Sequence, residues 1–69
     1  MHTEIKRSAQ SVLHRTSLPR SHADQIGALI ANNLLLPGNF EKATARYQTT
    51  DALEIGERAA KEYIRLAKV

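Results

Sequence analysis

Apolar residues recur along this chain at spacings of three and four, and no segment alternates apolar with polar as a half-buried strand does. That periodicity predicts four helices. The first covers about residues 4–15, with Ile5, Ala9, Val12 and Leu13 on one stripe and Thr3 as the expected N-cap. Lys6, Arg7, Gln10 and Arg15 fall off that stripe, and His14 borders it. Pro19 biases Leu18 away from helical backbone, so the helix should end within Thr16-Ser17-Leu18-Pro19. The second helix is expected over about 22–35, with Ser21 and Asp24 forming a variant capping box. It is the most apolar segment, carrying Ala23, Ile26, Ala28, Leu29, Ile30, Ala31, Leu34 and Leu35. Pro37-Gly38-Asn39 then gives the clearest stop signal in the chain.

Asn39 is placed to cap a short third helix, about 40–47, whose Phe40, Ala43 and Tyr47 share a face. Asp51 or Thr50 starts the fourth, about 52–67. Its main stripe is Leu53, Gly56, Ala60, Tyr63, Ile64 and Ala67, widened by Ile55, Ala59 and Leu66. Glu54 and Arg58, and Glu57 and Lys61, are spaced i,i+4 with the acid first, the favourable order. The short connections suit neighbouring helices in a bundle. The expected fold is therefore all-α: one domain over 1–69, a compact bundle of three to four short helices, with a homodimer left open.

Length sharpens that option. At 69 residues a single core rarely supplies more than about 3–5 kcal/mol. The chain has no cysteine, which removes disulfides and thiolate metal sites as staples. Each helix needs one buried stripe, yet the second and fourth offer more apolar surface than that. A partner, or a second copy of the chain, would cover the excess. No signal-peptide pattern opens the sequence, and its longest apolar run, Leu34-Leu35-Leu36, is far below the ~20 residues of a membrane span. A soluble cytoplasmic protein is the expectation.

Charge adds a competing reading. Of the net +3, all lies in Met1–His22, where Lys6, Arg7, Arg15 and Arg20 face only Glu4; the rest of the chain balances six bases with six acids. Such asymmetry suits either ordinary solubility or a negatively charged partner. Those four bases could grip a phosphate backbone without reading sequence. No aromatic lies among them to stack single-stranded bases. A helix-turn-helix is a poor match, because the helices after both candidate turns carry acids in their first turns.

Chemistry finds little purchase. Ser21, His22 and Asp24 lie close in sequence, but neighbours on a helix point about 100° apart, which breaks the alignment a nucleophile triad needs. His2, His14 and His22 have no i,i+4 pair to hold a metal, and no phosphate-binding glycine pattern is present. The expectation is no enzyme, no metal, no cofactor and no small-molecule substrate. The first functional reading is a small regulatory or adaptor protein that binds another protein through Leu34, Leu35, Tyr47, Tyr63, Ile64 and Leu66. The alternative is a DNA- or RNA-binding regulator using Lys6, Arg7, Arg15 and Arg20. Phages, plasmids and bacterial operons commonly encode regulators of this size, a link by association only.

Overall fold

Small side chains set the distance between helices in this protein. The computed structural model describes residues 1–68, and its four helices are α1 (His2–His14), α2 (Arg20–Leu34), α3 (Asn39–Tyr47) and α4 (Ala52–Ala67). No strand occurs among the described residues. The Cα radius of gyration is 11.1 Å, close to the roughly 11 Å of a well-packed chain this long. Among the described residues, no helix is long and apolar enough to cross a membrane.

α1 is the hub, packed between α2 on one flank and α4 on the other. Two glycines make those contacts tight. Gly27 of α2 sits against the backbone of Gln10, and Gly56 of α4 sits against Ile5 and Ser8. A β-carbon at either place would press on α1, so the helices approach more closely than ordinary side chains permit.

The core follows from this closeness. Its buried apolar residues are Ile5, Ala9, Val12, Leu13, Ala23, Ala31, Leu34, Ala43, Ala52, Ile55 and Ala60. Six of those eleven are alanines. One cluster gathers Ile5, Ala31, Leu34, Ala43, Ala52 and Ile55, with Phe40 and Tyr47 against it. The other gathers Ala9, Val12, Leu13, Ala23 and Ala60, with Leu18, Ile26 and Ile64 against it. Ile30 touches both. Close-packed alanine leaves little interior room for leucine, so much of the large apolar surface stays outside.

The helix ends depart in part from their sequence signals. Thr3 lies inside α1, which starts one residue earlier with no side-chain cap. Ser21 lies inside α2; Pro19 holds the N-cap position, and its carbonyl accepts from Ala23 N at 3.0 Å. Asp24 does not cap: its carboxylate lies 2.6 Å from His14 Nε2 across the α1–α2 contact. Asn39 is the first residue of α3, and its side chain donates to the Asn33 carbonyl at 2.8 Å. Gly38, with φ of +85°, takes the cap position in a left-handed conformation that glycine adopts freely.

Other signals match what forms. Asp51 caps α4 by accepting from Leu53 N at 3.0 Å. Thr16 organises the first turn, donating to the Leu13 carbonyl at 2.6 Å and accepting from Leu18 N at 3.2 Å. Lys61 reaches Glu57 at 3.1 Å, and Arg58 reaches Glu54 as well as the Tyr47 carbonyl.

Candidate docking groove

The displaced leucines are concentrated around one groove. It opens between α2, α3 and α4, on the side away from α1, and encloses about 800 Å³. Ile26, Leu29, Ile30 and Asn33 of α2, with Leu36 just past its end, form one wall; Ala59, Glu62, Tyr63 and Leu66 form the α4 wall. Asn39, Lys42, Ala43, Arg46 and Tyr47 of α3 line a third side, with Leu34 of α2 also contributing. Leu29 is 65% exposed, Leu66 61%, Leu36 53% and Tyr63 41%. Exposed apolar side chains sharing one concavity differ from scattered surface leucines, which need no explanation.

Of the six residues expected to contact a protein, four line this groove: Leu34, Tyr47, Tyr63 and Leu66. Leu34 is buried, Tyr47 is half-buried, and the other two project. Leu35 follows the end of α2 and lies outside the groove lining. Ile64 is half-buried against the Ala9, Val12 and Leu13 cluster, where it belongs to the α1–α4 packing. Sequence reasoning named Leu34 of α2 but missed Ile26, Leu29 and Leu36. The signal was Ile26, Leu29, Asn33 and Leu36, spaced three, four and three, with the asparagine interrupting an otherwise apolar stripe.

Polar groups in the groove are few. Arg46 pairs with Glu62 at 3.0 Å, and Glu62 stands beside Tyr47. Burial pushes the Tyr47 phenol above its usual range; Glu62 raises it further, while Arg46 and Arg65 pull the other way. The unfolded chain gives up this proton near pH 10, whereas the folded chain holds it to higher pH. Stability should therefore fall as pH climbs above about 10, until the folded phenol ionises too. In a Tyr63→Phe background, near-ultraviolet absorbance should show Tyr47 ionising at higher pH than free tyrosine. Adding Glu62→Gln should reverse only part of the shift, because burial is the larger cause. Ionisation at the free value would contradict this geometry.

The four bases of the alternative reading do not gather at one place. Lys6 and Arg7 sit near the start of α1, while Arg15 and Arg20 flank the α1–α2 turn. Nine residues of helix, about 13 Å at 1.5 Å per residue, separate Lys6 from Arg15 along the axis. None of the four forms an ion pair among the described residues. His22 is exposed, and His2 contacts Asn32 at 2.8 Å. The His14–Asp24 pair is on the surface, outside the groove lining. No group of three or more His, Asp or Glu side chains is placed to share a metal among the described residues. No protein-family model matches this chain, and no curated protein or solved structure matches it either.

Proposed function

We propose that this chain is a small regulatory or adaptor protein, without catalytic activity, which docks a protein partner in the α2–α3–α4 groove. One observation carries the reading: the core is closed with alanine and glycine while Leu29, Leu36, Tyr63 and Leu66 stand exposed around a single concavity. Exposing them costs the isolated chain about 25 cal/mol for each Å² that a partner would cover. Tyr47, Tyr63 and Arg46 beside the apolar walls are of the residue types enriched in binding hot spots, and an apolar centre with a polar rim is the usual anatomy of an interface. Leu35 and Ile64 drop from the proposed contact set, and Leu29 and Leu36 enter it. The phosphate-gripping alternative gains less support, because its bases are spread over both ends of α1.

Photo-crosslinking in the cells that make the protein tests the reading. A photoreactive phenylalanine analogue at position 29 or 66 should give a discrete protein adduct, while the same group at position 7 or 57 should not. Failure of both groove positions to capture a protein would overturn the proposal. Nucleic-acid adducts from position 7 would support the basic-face alternative instead.

A further inference from the structure

If the groove is a protein-binding site, the reading on which its occupant's identity rests, its shape and charge narrow the choice of partner. Its walls are made by helices. From Ala59 to Leu66 the α4 wall spans seven residues, about 10 Å of helix. An amphipathic helix with apolar anchors at i, i+3 and i+7 covers the same ~10 Å, and its ridges fit stripes spaced three and four.

Charge then selects the type of helix. The α3 flank facing the groove presents Asn39, Lys42 and Arg46, at spacings of three and four, with no acid among them. Among the described residues, Glu62 is the only carboxylate in the lining, and Arg46 already pairs with it. Lys42 is exposed and makes no ion pair among the described residues. The groove thus has a surplus of positive charge at its rim.

A second copy of this chain would not balance that surplus well, because none of its helices carries an excess of acid: α1 has Glu4 against Lys6 and Arg7, and α3 has Glu41 against Lys42 and Arg46. On α2, the sole acid, Asp24, is matched by Arg20. On α4, Glu54, Glu57 and Glu62 are paired with Arg58, Lys61 and Arg46. A copy docking any of these helices into the groove would bring at least as many cations as carboxylates toward Lys42. We infer that the occupant is an amphipathic helix of two to three turns, from a different protein, with free carboxylates beside its apolar anchors.

Designed peptides make the test. One helical peptide carries leucines at i, i+3 and i+7 with glutamates on both flanks; its companion has lysines in place of the glutamates. By fluorescence anisotropy at low salt, the acidic peptide should bind at least about tenfold more tightly than the basic one, and added salt should shrink the gap. Lys42→Glu should weaken the acidic peptide and strengthen the basic one, while Leu29→Asp with Leu66→Asp should abolish both. Equal binding of the two peptides would overturn the charge inference but leave an apolar protein-binding groove standing. Three results would overturn the acidic-helix occupant: no binding of either peptide, displacement of the acidic peptide by an oligonucleotide, or a light-scattering dimer that Leu66→Asp dissociates. Photo-crosslinking from positions 29 and 66 judges the broader protein-docking role independently of all of these.

Discussion

Gly56→Ala is expected to lower the melting temperature by roughly 5–15 °C. A β-carbon there meets the Ile5 carbonyl oxygen and Ser8 Oγ, and lies 3.0 Å from Ile5 Cα. Backbone atoms cannot swing aside, so α1 itself must move. Because α1 contributes to both core clusters, its shift would loosen Ile5 and Ile55 in one and Ala9 and Ala60 in the other. Overpacking against backbone belongs at the upper part of the usual range, about 2–3 kcal/mol, and the helix propensity gained with alanine, about 1 kcal/mol, offsets only part of it.

Gly27→Ala is the internal control. Its β-carbon meets the Gln10 side chain most closely, with Gln10 N and Cα at 3.1 and 3.2 Å. That side chain can rotate, at the expense of its 2.9 Å hydrogen bond to the Asp24 carbonyl. The loss should therefore be smaller than at Gly56. Thermal melts followed by circular dichroism check both variants. A Gly56→Ala protein as stable as the parent would mean that α1 and α4 do not touch as described.

Leu29→Asp combined with Leu66→Asp is expected to cut partner binding at least about a hundredfold, because well-packed hot-spot side chains are worth about 2 kcal/mol or more. The fold should survive. Both side chains project from the bundle, and surface changes of this type usually alter stability by no more than about 0.5 kcal/mol. Ile55→Ala should behave in the opposite way, since it opens a cavity in the core and costs about 2–5 kcal/mol. Unchanged binding by the folded Leu29/Leu66 double variant would remove the groove from consideration.

These contrasts also show how much the sequence could reveal. Helical spacing located all four helices, and Asp51 and Pro37-Gly38 marked real boundaries. Thr3 and Ser21 misled because a capping side chain is only one way to begin a helix; Pro19 starts α2 through backbone alone. The central position of α1 was not legible, since a stripe of Ile5, Ala9, Val12 and Leu13 looks no richer than its rivals. Gly27 was legible as a point where a neighbouring backbone comes close, and it does so against Gln10; the matching role of Gly56, and that both face α1, depended on what lies opposite them.

The candidate site was legible in part for the same reason. Counting leucines correctly found more apolar surface on α2 and α4 than a small core can hide. It could not say which leucines remain outside once alanines close the helices together. Ile64 follows Ala60 by four residues and turns inward with it, whereas Leu29 and Leu36 turn outward. Asn33 between those two disguised a continuous groove wall as a broken stripe.

Methyl NMR with a soluble paramagnetic probe addresses the basic physical statement most directly: leucines stand in water while alanines fill the interior. In the purified protein, the methyls of Leu29, Leu36 and Leu66 should be strongly relaxed by the probe, and those of Ile5, Leu13 and Ile55 left sharp. If the groove leucines are shielded as completely as Ile5, the concavity is already filled and the proposed docking role fails.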